Sequence, residues 1–264
     1  MRNFKTNVWD FYRKNGRHDL PWRKTRDPYK ILVSEVMLQQ TQVARVLQKY
    51  PQFIRAFPDT QTLAKAPLKR VLGLWQGMGY NRRAIALKRL AQEVVTHHRG
   101  KIPLTIQESE RLPGVGPYTA RAVQIFAFNE PHGCIETNIR RTYIHHFFPH
   151  AKNVSDKKLL PIIEATMDKK NPREWYWALM DYGSTLPKKI KNPNRKSKHY
   201  VRQKPFKGSN REVRGRILKT LLNNGPMNED VLKKHIKQKE LTKNLHTLVS
   251  EGFLKKQKER YAVM

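Results

Sequence analysis

LPGVGPYTARAV, residues 112–123, places two glycines in the five-residue turn Leu112 to Gly116, between a helical segment near Thr105–Arg111 and another from Tyr118 to Phe128. Glycine lets the backbone take positive φ and come close to a ligand. The N–H groups of such a turn and of the helix start after it can then bind a phosphate, assisted by the helix dipole. A Gly-x-Gly turn between helices often does no more than join them, so the turn alone leaves both readings open.

Helical signals extend on both sides of this turn. Up to about Tyr182 apolar residues recur three and four apart, with no strand-like alternation. Phe4, Val8, Phe11 and Tyr12 line an opening helix that Gly16 stops. Asp27 and Pro28 form a cap and first-turn proline ahead of a helix carrying Ile31, Glu35 and Leu38. Leu87, Leu90, Ala91, Val94 and Val95 mark another, ended by Gly100 with Pro103 beyond it. Asn171 and Pro172 open one more, which Gly183 closes. Residues 1–186 are therefore read as an all-α domain.

From Pro187 the periodicity gives way to a basic stretch, KKIKNPNRKSKHYVRQKPFK, and residues 187–209 are read as a linker lying on a polyanionic partner, with a disordered tail as the alternative. Three short helical segments follow, near Glu212–Leu222, Asn228–Ile236 and Leu241–Ser250, and GFLKKQKERYAVM can close a small β-hairpin. Residues 210–264 thus read as a winged-helix-like module or as a plain helical tail.

The chain has 264 residues, enough for about two compact domains and a genuine core. Its 53 Lys and Arg against 21 Asp and Glu leave a formal charge of +32, which calls for a polyanionic partner. The basic residues spread along the whole chain, which favours nucleic acid over a membrane surface; drift of an entire proteome in an unusual ionic milieu would give the same excess. The opening MRNFKTNVWD has no signal-peptide core and no apolar run is long enough to cross a bilayer, so the expected compartment is the cytoplasm, with the nucleoid. Cys134 is the only cysteine, which excludes a disulfide framework, a Cys-based zinc site and a four-thiolate iron–sulfur site. The histidine pairs His97–His98 and His145–His146 point to different sides of a helix, so surface or capping roles are expected and no catalytic metal.

Four stretches occur in one order, PWRKTRDPYKILVSEVMLQQTQV, GMGY, LPGVGPYTARAV and ETNIRR. Over about Asp19 to Gly183 the chain closely resembles the A/G-specific adenine DNA glycosylases of the MutY type, in the helix-hairpin-helix superfamily. The resemblance implies a fold of two helical lobes with the active site between them. It also implies a monomeric enzyme acting on double-stranded DNA with a mismatch or lesion, releasing adenine mispaired with 8-oxoguanine or guanine. LPGVG becomes the hairpin that grips the backbone, with Leu112, Gly114, Val115, Gly116 and Thr119 on the DNA and a monovalent cation on the hairpin carbonyls. Glu35 matches the catalytic acid toward N7 of the flipped adenine. As a helix glutamate it stands either on the solvent face or in an apolar pocket, and burial would raise its pKa above about 4.3. Tyr118 stands where the strand-cutting endonuclease III branch has a Schiff-base lysine, implying a monofunctional glycosylase. Gln40 and Tyr80 match intercalating residues. Trp22, Arg23 and Leu38 match walls of the adenine pocket, a role that does not exclude packing in the core.

Three features depart from the family. Where the family has an aspartate beneath the sugar, this chain has Glu136, beside Asn138, the partner expected to orient it. The extra methylene moves the charge by roughly 1.5 Å, so either the pocket is reset or activity is impaired, and an ordinary helix-start carboxylate is the plain alternative. The family's four-cysteine cluster loop is replaced by STLPKKIKNPNRKSKHY, in which Lys188, Lys189, Arg195 and Lys196 could take over its contact with DNA. No cofactor is therefore expected. The residues after Ser209 are too few and too helical for the domain that reads 8-oxoguanine. A thymine or uracil mismatch glycosylase, or a catalytically silent lesion-binding protein, are the competing readings.

Overall fold

Phe4, Val8 and Tyr12, four residues apart, are buried along one side of α1 (Arg2–Asn15). Gly16 ends that helix: its N–H donates to the Tyr12 carbonyl at 2.8 Å, and a Cβ there would lie 2.4 Å from the same oxygen. The computed structural model describes residues 2–202, 205–238 and 240–264, and the chain divides into two compact units. Unit 1 comprises Met1–Leu32, Pro103–Arg111 and Val115–Arg202; unit 2 comprises Val33–Ile102, Leu112–Gly114 and Gln203–Met264. The division falls inside α2 (Pro28–Leu38).

Unit 2 holds α3 (Val43–Ala56), α4 (Thr60–Lys65), α5 (Leu68–Trp75) and α6 (Arg82–His97). Val46, Phe53, Phe57, Leu63, Val71, Trp75 and Leu90 are fully buried at their centre. Unit 1 adds α7 (Ile106–Arg111), α8 (Pro117–Val123), α9 (Thr137–Phe147), α10 (Asp156–Thr166) and α11 (Pro172–Lys189). Phe4 sets its ring edge-on to Phe147 and Trp175, at 5.0 and 6.0 Å between centroids, so α1, α9 and α11 share an aromatic core.

Gly183 does not close α11, contrary to the sequence reading. The helix runs on to Lys189, and Gly183 is buried where a Cβ would lie 2.2 Å from the Asn138 carbonyl oxygen of α9. The glycine permits close helix approach instead of ending the helix. Pro187 is tolerated inside α11 although it cannot donate to the Gly183 carbonyl, because the Arg141 guanidinium takes that oxygen at 2.8 Å.

Within the basic stretch 187–209, of which residues 203 and 204 lie outside the described residues, Pro187–Lys189 belong to α11 and one further segment is built into unit 1. Pro193–Lys196 form a 3-10 turn with Pro193 and Asn194 buried, and Asn194 Nδ2 donates to the Thr137 carbonyl at 2.9 Å. A single parallel bridge joins Val154 to Ser197.

The C-terminal module, part of unit 2, contains α12 (Asn210–Asn224), β1 (Met227–Asn228), α13 (Glu229–His235), α14 (Leu241–Ser250), β2 (Leu254–Gln257) and β3 (Arg260–Val263). The strands form an antiparallel sheet of order β1-β3-β2, with Leu254 opposite Val263 and Met227 opposite Tyr261. This is a winged-helix arrangement built on Val213, Ile217, Leu221, Leu245, Leu248 and Phe253. The hairpin was legible in the sequence; β1, two residues long, carries no periodicity to find.

Candidate active site

Unit 1 carries Glu136 as the N-cap of α9. Its Oε1 accepts from the backbone N–H groups of Asn138 and Ile139 at 2.6 and 2.8 Å, and its Oε2 accepts from Asn138 Nδ2 at 3.2 Å. The carboxylate satisfies the donors a helix start leaves open. Asn138 is held in turn: its Oδ1 accepts from Arg141 at 2.8 Å, and Arg141 also binds the Gly183 carbonyl and, at 3.1 Å, Asn192 Oδ1. Desolvation raises the Glu136 pKa, and the two backbone N–H groups, Arg141 and Arg140 pull against it. Tyr118 is half-buried in the first turn of α8, two residues after the N-cap Gly116.

Trp22 and Arg23, in the 3-10 turn Pro21–Arg23, are both buried. The Arg23 guanidinium makes a bidentate pair with Asp181 at 2.8 and 2.9 Å, and Arg17 binds the same carboxylate through its backbone N–H at 2.8 Å and its Nε at 2.7 Å. Burial would push the Asp181 carboxyl up, but the two arginines outweigh it and hold its pKa low. Asp181, Arg17 and Arg141 were missed in the sequence. The one available signal was Asp181 itself, a charge inside the apolar run WYWALMDY.

Unit 2 carries Glu35. Of its neighbours Val33, Ser34, Val36 and Met37, none exceeds 3 % exposure, and Glu35 itself is 7 % exposed. The choice between solvent face and buried position is therefore decided for burial. Leu38, the last residue of α2, is half-buried.

Gln40 and Tyr80 both have left-handed backbones, with φ of 53° and 47°. Such non-glycine residues cost about 1 kcal/mol and persist where the surroundings over-determine them. The determining group is Arg83, which the sequence reading also missed. Its guanidinium donates to the carbonyls of Val36 (2.8 Å), Met37 (2.9 Å) and Gln39 (2.6 Å) at the open end of α2. It also donates to the carbonyls of Met78 (3.2 Å) and Gly79 (3.0 Å) and to Thr41 Oγ1 (2.9 Å). One buried cation thus ties the turn after α2 to the GMGY loop, and desolvation pushes its pKa down to about 10.

In the hairpin, Gly114 has φ +79° and a Cβ there would lie 2.8 Å from Ala86 Cβ. Gly116, at φ −101° and ψ 178°, needs no glycine for its conformation and has open space where a Cβ would stand. The sequence reading of two positive-φ glycines holds for Gly114 only. Leu112, Val115 and Thr119 are buried, whereas Gly114 is exposed. A pocket of about 190 Å³ in unit 2 is lined by Gln39, Arg82, Arg83, Ala86, Pro113 and Gly114.

Lys188, Lys189 and Arg195 are exposed, whereas Lys196 is half-buried with its Nζ bonded to the Pro149 carbonyl. Cys134 is buried, and one thiol cannot supply the four thiolates of an iron–sulfur cluster, so the residues present do not fit that group. Among the described residues no three His, Cys, Asp or Glu side chains are grouped to hold a metal ion, and no helix is long and apolar enough to cross a membrane.

Residues 33–165 match the family described as HhH-GPD superfamily base excision DNA repair protein. The chain is 36% identical over 184 residues to the adenine DNA glycosylase of Buchnera aphidicola subsp. Baizongia pistaciae, covering 69% of this chain and 52% of that protein. It is 43% identical over 137 residues to the adenine DNA glycosylase of Mycobacterium tuberculosis, covering 52% and 45%. The chain spans about half the length of these curated relatives. In structure it is similar to a thermostable thymine-DNA glycosylase, with a TM-score of 0.64, 27% identity and coverage of 73% of this chain and 89% of that one. Endonuclease III in a non-covalent DNA complex shares the fold at a TM-score of 0.59 and 18% identity, covering 68% and 82%. With its helical architecture and the match over residues 33–165, the chain belongs to the HhH-GPD superfamily of base excision DNA repair proteins.

Proposed function

We propose that this protein is a monofunctional adenine DNA glycosylase acting as a monomer on mismatched duplex DNA in the cytoplasm, with residues 1–186 as the glycosylase domain, the basic stretch 187–209 after it and 210–264 as an added DNA-binding module. The observation that carries this reading is the burial of Glu35 on α2, at the position the resemblance gives to the catalytic acid. A buried carboxyl at that position is the kind of group that serves as a general acid to a leaving base. The identity to adenine glycosylases supports adenine as the base.

In this reaction Glu35 protonates N7 of the flipped adenine and the C1′–N9 bond breaks, its electron pair leaving with the base. The Glu136 carboxylate, held by Asn138, stabilises the positive charge left on the sugar. Water then adds to C1′ and gives up a proton, leaving an abasic site. Tyr118 offers no amine, so no Schiff base forms and the strand stays intact. Gln40 and Tyr80 enter the vacated stack while Trp22, Arg23 and Leu38 wall the extruded base. The main chain of Leu112–Thr119 and the exposed Lys188, Lys189 and Arg195 meet phosphates.

A second reading, thymine or uracil excision from G mispairs, is favoured by the structural likeness to a thymine-DNA glycosylase. Single-turnover base release separates the two, using duplexes with A opposite 8-oxoguanine, G or C, and T or U opposite G. Adenine release that disappears in Glu35→Gln supports the proposal, and the rates rank the opposite bases. Release of T or U alone supports the second reading, and binding without release identifies a silent lesion-binding protein.

A further inference from the structure

Arg211, in the first turn of α12, reaches back 131 residues to the GMGY loop. Its NH1 donates to the Tyr80 hydroxyl at 2.5 Å, and its guanidinium lies 5.2 Å from the centre of the Tyr80 ring. Arg83 approaches the same ring at 5.7 Å. The ring thus contacts two cations, one from the loop's own helix and one from the C-terminal module.

Two residues beyond Tyr80, the module meets the first residue of α6. Arg82, at the start of α6, and Arg214, in α12, both bind the carboxylate of Glu251, the residue that follows α14; Arg82 Nε lies at 3.0 Å and Arg214 NH1 at 3.1 Å. The side chains of Glu251 and Arg214 are each only 18% exposed, so the module holds this carboxylate firmly, while Arg82 reaches it with a side chain that is 74% exposed. Gly77, Gly79 and Tyr80 all have positive φ, so the loop lacks a helix or sheet ladder of its own and its geometry is set by what binds it.

We propose that Arg211 is a positioning residue for base flipping: the C-terminal module fixes the Tyr80 ring in the orientation in which it enters the DNA stack. This inference rests on the reading of Tyr80 as an intercalating residue. It gives the module a role in flipping beyond adding charge on the duplex.

The test uses the full chain and a duplex with 2-aminopurine beside the mismatch, whose fluorescence rises when the base unstacks. Arg211→Ala, Tyr80→Ala, the double variant and Arg211→Lys are compared for the unstacking signal, single-turnover base release, the salt dependence of affinity and thermal midpoint. Arg211→Ala is expected to lower unstacking and base release by about tenfold or more, the scale of a displaced catalytic geometry. Its log–log salt slope and thermal midpoint stay near those of the unmodified protein. In the Tyr80→Ala background it adds nothing to the loss of unstacking, because Arg211 acts on the stack through Tyr80. Arg211→Lys keeps the charge without the planar fork and restores only part of the signal. Glu251→Gln, which loosens the junction from the other side, lowers the same signal.

The inference is overturned if Tyr80→Ala impairs unstacking while Arg211→Ala does not, or if the two losses add. A fall of about 0.9 in the salt slope with unstacking intact would make Arg211 a phosphate ligand instead. If Tyr80→Ala leaves unstacking unchanged, the intercalation reading itself fails and the inference falls with it.

Discussion

The side-chain amide of Asn138 donates to one oxygen of Glu136 at 3.2 Å while the backbone N–H of the same residue donates to the other at 2.6 Å, so two contacts two residues apart orient the carboxylate at the start of α9. This gives the glutamate a defined place despite its extra methylene. Glu136→Asp is expected to keep the helix cap, since aspartate is among the best capping residues, with stability unchanged within about 0.5 kcal/mol. Base release should fall by about tenfold to a hundredfold, because the pocket is set for the longer side chain. Single-turnover rates check this; a faster aspartate variant would mean that glutamate impairs a pocket built for the shorter acid.

Gly183 and Gly73 should respond to alanine in opposite directions. A Cβ at Gly183 would press to 2.2 Å from the Asn138 carbonyl oxygen, so Gly183→Ala is expected to cost about 3 kcal/mol and to disturb the Glu136 network. Gly73 lies inside α5 with nothing within 4 Å of its added Cβ, and Gly73→Ala should gain about 0.5–1 kcal/mol from helix propensity. Urea melts of both variants test the pair.

The two hairpin glycines also separate stability from binding. Gly114→Ala forces a left-handed alanine toward Ala86 and should lose about 1–2 kcal/mol or more. Gly116→Ala meets no atom and should leave the thermal midpoint unchanged, yet fill the space a phosphate would occupy and weaken duplex binding by about tenfold, or roughly 1.4 kcal/mol. Fluorescence anisotropy at fixed salt reads the second effect, and unchanged affinity would count against a close phosphate cradle.

His146 makes stability depend on pH. Its Nε2 meets the Tyr182 hydroxyl at 2.9 Å, and desolvation together with His145 pushes its pKa down to about 4 from the ordinary 6.5. Between those values the unfolded chain takes up a proton that the native state refuses. The contribution is therefore fully present above pH 6.5 and is lost as pH falls toward 4. Partial exposure to solvent limits the loss to about 1–2 kcal/mol. Urea midpoints at several pH values should show a shallower decline for His146→Gln than for the unmodified protein.

Short-range chemistry was legible in the sequence. The cap at Asp27 and Pro28, the turn at Leu112–Gly116 and the hairpin after α14 all involve residues close along the chain, whereas the pairing of Glu136 with Asn138 came from the family resemblance. Periodicity and capping act over about four residues, so the order of side chains determines them without knowledge of the rest of the fold.

Contacts between distant segments were decided only by the tertiary structure. Arg23 meets Asp181 across 158 residues, and Arg211 meets Tyr80 across 131. Arg83 reads as an ordinary helix cation until packing places it under the carbonyls of Val36, Met37 and Gln39 at the end of α2 and of Met78, Gly79 and Tyr80 in the GMGY loop. Gly183 carries the same chemistry whether it ends a helix or admits a neighbour, and only the approach of α9 selects between them. Local patterning was enough for α1, α2, α6, the C-terminal hairpin and the kinds of group available for chemistry, while it misplaced the end of α11. Which charges lost their water, which partners they found and which backbone came within reach depended on packing, because desolvation and close contact belong to the assembled core and to no local stretch of chain.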